Sequence, residues 1–230
     1  SLPKEKDVIS PVFLIGFPRS GTTLLDSILR GHSKIEVLEE KPFVSIIRDN
    51  FFISNNNLIN SLEKLDQKKI ISTQAEYLSL LNLENVSISD NNILIDKFPL
   101  NIIEIGFIQK IFPNSKFIIA LRHPCDVVLS CFTSNFKINE GMANFYDLES
   151  AANLYNEVFL LFEHYRKFLD INCFIIKYED VVLDFQSQIS NLIDFLDLKW
   201  ENNLNNFNNT AVKRKKINTP SYSQVTQPLY

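Results

Sequence analysis

The segment Gly16-Phe17-Pro18-Arg19-Ser20-Gly21-Thr22-Thr23 has the residue types of an anion cradle. It follows the apolar run Val12–Ile15 and leads into a stretch of helical pattern, the strand–loop–helix context a phosphate loop needs. At a helix N-terminus the backbone N–H groups lack intrahelical partners, and together with the helix dipole they favour an anion. Gly16 and Gly21 permit backbone conformations and a close approach that a Cβ would block. Ser20, Thr22 and Thr23 add hydroxyl donors, and Arg19 adds a cation. The spacing Gly-x-x-x-x-Gly is that of a Walker A loop, but the residue after the second glycine is Thr22 rather than lysine. Kinases and ATPases use that lysine on the β- and γ-phosphates, so its absence argues against ordinary phosphoryl transfer. A second group lies at Arg122 and Ser130. Arg122 ends an apolar strand at the sheet's carboxyl edge, where open α/β sheets bind ligands. Its guanidinium suits a bidentate grip on phosphate. Ser130 falls on the second turn of the helix that starts near Pro124, so its hydroxyl can face the same place. Asp96 keeps another reading open. It ends a hydrophobic strand as a Walker B aspartate would, and with Thr23 it could hold Mg²⁺ for a nucleotide kinase.

The elements that must position these residues follow from apolar patterning. Val12–Gly16, Ile93–Asp96, Lys116–Leu121 and Cys173–Lys177 read as buried parallel strands. Helical stretches are expected near 22–30, 42–52, 68–82, 101–111, 124–136, 147–169 and 184–196, with Gly31 as the stop of the first. Strands alternating with helices imply a parallel sheet covered on both faces. Right-handed crossovers narrow this to a doubly wound α/β layer. With a loop of Walker A spacing after the first strand, the expected fold is P-loop NTPase-like, a central parallel sheet flanked by helices. The 230 residues are expected to form a single domain over 1–230.

Four segments resemble those of sulfotransferases that use 3′-phosphoadenosine 5′-phosphosulfate (PAPS). Pro18-Arg19-Ser20-Gly21-Thr22-Thr23 resembles the family's 5′-phosphosulfate loop. Phe117-Ile-Ile-Ala-Leu-Arg122 with Ser130 eight residues on resembles its 3′-phosphate motif. Ile176-Lys177-Tyr178-Glu179-Asp180 is similar to the element that brings a tyrosine near the adenosine. Ser221, Gln224, Val225 and Pro228 resemble the Ser-x-x-Gln-Val-x-x-Pro segment of tyrosylprotein sulfotransferases and of bacterial domains often fused to tetratricopeptide repeats. The resemblance implies a nucleotide phosphorylated at two separate places. It implies Arg19, Ser20, Gly21, Thr22, Thr23, Arg122, Ser130, Tyr178, Ser221, Gln224 and Val225 as donor-binding residues. At least one of Arg214 and Lys216, in the run Lys213-Arg214-Lys215-Lys216, is expected on the donor as well.

For catalysis the resemblance implies Glu40, the second of the pair Glu39-Glu40, as the base that takes the acceptor's proton. Such a carboxylate would serve if burial raised its pKa. Lys97 matches the family lysine that contacts the bridging oxygen, and the segment Asp96-Lys97-Phe98-Pro99 lacks the histidine that many cytosolic members carry there. None of His32, His123 and His164 is expected as the base, and His32 is expected to cap a helix. No metal is expected. The implied reaction is transfer of a sulfuryl group to an acceptor hydroxyl on a peptide tyrosine, a glycan or a small molecule. A Mg²⁺-dependent kinase and a non-catalytic nucleotide-binding module stay open beside it. Family members continue past the position of Tyr230, so either end could belong to a longer chain.

Composition constrains partners. A net charge of −4 gives no global attraction to nucleic acid or anionic membranes. No apolar run approaches the roughly 20 residues that span a bilayer, and no leader is visible at the start. Three spread cysteines suggest neither a disulfide framework nor a metal site, which fits a cytoplasmic setting. Cys125 and Cys131 are both expected as small core residues.

Overall fold

The structure is a computed structural model that describes residues 10–53, 66–86, 92–136 and 141–207. Five parallel strands form one sheet: β1 Val12–Gly16, β2 Ile35–Glu39, β3 Ile93–Lys97, β4 Phe117–Leu121 and β5 Cys173–Lys177. Their order is β2-β3-β1-β4-β5. The register aligns Leu14 with Lys97 and Ile118, and Gly16 with Ala120. The chain leaves β1 for the β2 edge, returns to β3, then crosses to β4 on the far side of β1. The loop after β1 therefore faces the crevice where the order reverses, the ligand position of open α/β sheets.

Alternation along each strand makes the two layers. Phe13, Ile15, Phe117 and Ile119 point to one face, where they pack under α2 Phe43–Ile53, α3 Gln67–Leu83, α4 Ile105–Ile111, α5 Pro124–Thr133 and α6 Leu148–Phe168. Val12, Leu14, Ile118 and Ala120 point to the other, under α1 Thr22–Leu29, α7 Tyr178–Leu183 and α8 Phe185–Phe195. Each fully buried Phe, Ile or Leu contributes about 1.5–3 kcal/mol relative to exposure. This is the expected P-loop NTPase-like doubly wound layer. Side-chain caps set several helix starts: Asp66, Asp147 and Asp184 accept from Lys69, Ser150 and Ser187 backbone N–H groups.

The structure departs from the expected elements in several places. Ile35–Glu39 is a fifth strand at the sheet edge. The stretch expected as one helix over 101–111 begins as a 3₁₀ turn over Pro99–Glu104, with proline at its start, before α4 takes over. The helix expected over 124–136 ends at Thr133. Cys125 is exposed, so only Cys131 of that pair is a core residue. Gly31 does follow α1, but its reason is close approach: a Cβ there would lie 2.8 Å from the Asn203 carbonyl oxygen. The His32 side chain does not cap α1: its Nδ1 accepts from the Lys34 N–H, which leaves Nε2 to donate to the Lys199 carbonyl at 2.9 Å. Among the described residues no helix is long and apolar enough to cross a membrane.

Candidate active site

The loop between β1 and α1 is shaped by its backbone. A Cβ on Gly16 would lie 2.5 Å from the Ala120 carbonyl oxygen, so β4 can approach only a glycine there. Gly21 has φ +103°, and a Cβ on it would meet the Tyr178 ring at 3.2 Å. Arg19 takes φ +71°, the left-handed region that costs a non-glycine residue about 1–2 kcal/mol. The Ser20 N–H donates to the Phe17 carbonyl and closes the turn. Ser20, Thr22 and Thr23 are buried at the start of α1. Below the loop, Cys131 packs with its Sγ 3.3 Å from the Pro18 carbonyl oxygen. Burial pushes its thiol up to about 12, with the Arg19 charge opposing, so it is an inert packing group.

The structure brings the second group to this loop. Arg19 Nε donates to Ser130 Oγ at 2.9 Å, joining residues 111 positions apart. Arg122 stacks over the Tyr178 ring, 4.6 Å from its centroid, and lies 3.9 Å from Asp126. The Arg122 turn is held by Glu179, whose carboxylate accepts from the His123 N–H at 2.9 Å. Two buried polar atoms in this cluster, Ser20 Oγ and Arg122 Nε, have no hydrogen-bond partner among the described residues. Unpaired buried donors are costly and therefore rare. A hydroxyl and a guanidinium N–H left unpaired beside a helix N-terminus fit an anionic ligand that would complete them.

On the other side of β1, Lys97 is fully buried. Its Nζ donates to Glu40 Oε1 at 2.7 Å and lies 3.5 Å from Glu39 Oε1. The Glu40 N–H also donates to the Lys97 carbonyl at 2.8 Å, so the two residues meet through both backbone and side chain. Glu40 has φ +47°, a second left-handed non-glycine residue. Burial of Glu40 was the expected means of tuning it. Instead its side chain is 36% exposed, and its environment is set by the ion pair with Lys97.

Asp96 does not take the position of a metal ligand beside Thr23. It is fully buried and accepts from the Tyr77 hydroxyl at 2.7 Å, on the face under α3. Among the described residues no group of three or more His, Cys, Asp or Glu side chains is placed to hold a metal ion. Burial raises the Asp96 carboxyl from 3.8 to about 7, against the lowering effect of the Tyr77 hydrogen bond. The folded protein thus holds this proton between about pH 4 and 7 while the unfolded chain releases it. Stability conferred below that window is therefore lost as pH rises through it, by about 1.4 kcal/mol per pH unit. Chemical denaturation across pH 4–7 should show this slope, and Asp96→Asn should flatten it.

Arg214, Lys216, Ser221, Gln224 and Val225 lie outside the described residues. Sequence reasoning missed Glu179 and Tyr77. The Tyr178-Glu179-Asp180 segment carried a signal for the first, and nothing local marks the second.

A model of the sulfotransferase family matches residues 11–202. Protein-tyrosine sulfotransferase 2 of Gallus gallus is 27% identical over 198 residues, 82% of this chain and 51% of that protein. A protein of Aquifex aeolicus is 28% identical over 96% of this chain, which corresponds to 29% of its own length. The chain thus spans about half, or less, of these relatives. Among solved structures, the sulfotransferase domain of the Synechococcus olefin synthase aligns with a TM-score of 0.57 at 23% identity, covering 86% of this chain and 76% of that one. A mouse sulfotransferase solved in complex with PAP aligns at 0.51 and 16% identity, over 92% of this chain and 68% of that one. These likenesses support the fold, and because the family model spans most of the sequence, the chain belongs to the sulfotransferase family.

Proposed function

We propose that the protein transfers a sulfuryl group from PAPS to an acceptor hydroxyl. The observation that carries this reading is the Arg19–Ser130 hydrogen bond, which sets the loop at the end of β1 against the helix that follows Arg122. Two anion-holding elements side by side suit a nucleotide with phosphates at two places. The mouse relative's complex with PAP, 3′-phosphoadenosine 5′-phosphate, supports the same ligand class.

In this reading Arg19, Ser20, Gly21, Thr22 and Thr23 hold the 5′-phosphosulfate. Arg122 and Ser130 hold the 3′-phosphate, with Tyr178 beside the adenosine. The acceptor O–H gives its proton to the Glu40 carboxylate as its oxygen bonds to sulfur. The bond from sulfur to the bridging oxygen breaks, and that electron pair stays on the 5′-phosphate of PAP. Lys97 offsets the charge that grows there. Protonation of Glu40 also removes the negative charge that holds Lys97, which frees its ammonium for the leaving oxygen. Positioning and electrostatics supply the rate, as in phosphoryl transfer.

Arg122→Ala tests the donor assignment. A charge-assisted bond to phosphate contributes about 1.5–3 kcal/mol, so affinity for PAP should fall roughly 10- to 100-fold by calorimetry. Affinity for 5′-AMP, which lacks the 3′-phosphate, should change little. Equal losses for both would remove Arg122 from its role. The kinase alternative is checked by thermal shift: stabilisation by ATP with Mg²⁺ but not by PAP would overturn the proposal.

A further inference from the structure

We infer that Tyr77 and Asp96 are positioning residues for the Glu40–Lys97 pair, each bracing one member of it from beneath the sheet edge. The inference rests on the proposed roles of Glu40 and Lys97. Asp96 directly precedes Lys97 at the end of β3, and its carboxylate is tied to α3 by the Tyr77 hydroxyl at 2.7 Å. The Tyr77 ring is edge-on to Phe43, 6.1 Å between centroids, and to Phe112 at 5.2 Å. Phe43 begins α2, three residues after Glu40. One fully buried side chain therefore touches the chain neighbour of Lys97 through its hydroxyl and the helix that follows Glu40 through its ring.

Two features show why such bracing is needed. Glu40 sits at φ +47°, a conformation that persists only where surroundings enforce it. Lys97 has no exposure to water, so its ammonium must be kept on its carboxylate partners. The β3 end is held on both faces: Lys97 ties it to β2, and Asp96 ties it to α3. The second oxygen of Asp96, Oδ1, is buried without a partner, so the Tyr77 bond is the carboxyl's single anchor among the described residues.

Tyr77→Phe removes the hydroxyl and keeps the ring. Hydrogen exchange reads the result without donor or acceptor, because the Glu40 N–H is bonded to the Lys97 carbonyl. The Glu40 amide should exchange about tenfold faster, while the sheet-core amides of Phe13 and Ile119 change less than about twofold. Turnover of PAPS to PAP with 2-naphthol or a tyrosine peptide should show kcat lower by roughly 10- to 100-fold, with PAP affinity kept. Asp96→Leu should loosen the Glu40 amide in the same way. Asp96→Asn, which retains an acceptor for the Tyr77 hydroxyl, should keep it protected. These two variants decide the matter even if Tyr77→Phe does not fold. An unchanged Glu40 amide, or one that accelerates in step with Phe13 and Ile119, would reduce the pair to general packing and overturn the inference. So would an unchanged kcat in Tyr77→Phe. Absence of PAPS turnover in the unsubstituted protein would sink the sulfotransfer reading instead, and the amide measurement would still decide the positioning.

Discussion

Glu40→Gln should lower PAPS turnover by about two to four orders of magnitude, the usual contribution of a general base. Glutamine keeps the size of the side chain and can still accept from Lys97, but it cannot take a proton from the acceptor. The pair at 2.7 Å would become a neutral–cation hydrogen bond, so the local backbone should hold. In the proposed reading donor binding lies with Arg122, Ser130 and the β1 loop, so PAP affinity should stay within about threefold. Neither His32 nor His164 is placed to substitute: His32 is engaged with the Lys199 carbonyl, and His164 lies against Phe168 in a wide groove between α2 and α6. Single-turnover measurement of PAP formation is the check. A loss of less than tenfold would show that the proton leaves by another route.

Lys97→Met should cost turnover about 10²–10³-fold, as removal of one electrostatic stabiliser does. Methionine matches the length of the buried stem and carries no charge. Replacing a buried ion with an apolar group of similar volume is often neutral for stability. Its former partners are not stranded, since the Glu39 and Glu40 side chains are 19% and 36% exposed and can reach water. The expected outcome is therefore a large fall in kcat with a melting temperature close to the parent's. If melting fell steeply while the residual rate per folded molecule stayed high, Lys97 would be a structural ion and not a stabiliser of the leaving oxygen.

Much of the fold and part of the site were legible because they are written locally. Val12–Gly16 is an uninterrupted apolar run that stops at a glycine, and it became the central strand. Arg122 and Ser130 could be singled out because a strand end and a helical turn are written locally, but their partners could not: Ser130 meets Arg19 and Arg122 meets Tyr178. Ile35–Glu39 was harder to recognise as a strand, since two glutamates interrupt a run of only five residues and break its apolar alternation. The Walker B alternative for Asp96 stayed open because position along the chain does not reveal which face of the sheet a strand-end side chain takes. Its register neighbours Phe13 and Leu38 belong to the face under α2 and α3, which carries it away from the loop. Tyr77 could not be found at all. It lies in a largely polar helix, and only the folded sheet brings it to a residue 19 positions away.

The strand order has a consequence for how this protein could change over generations. Glu40 and Lys97 stand at the ends of β2 and β3, on one side of β1. Arg122 and Tyr178 stand at the ends of β4 and β5, on the other. Substitutions in the first flank should move speed and leave the grip on nucleotide intact, and those in the second should do the reverse. A lineage could therefore retune its pace for a new acceptor through α2 and α3 while inheriting its donor unchanged.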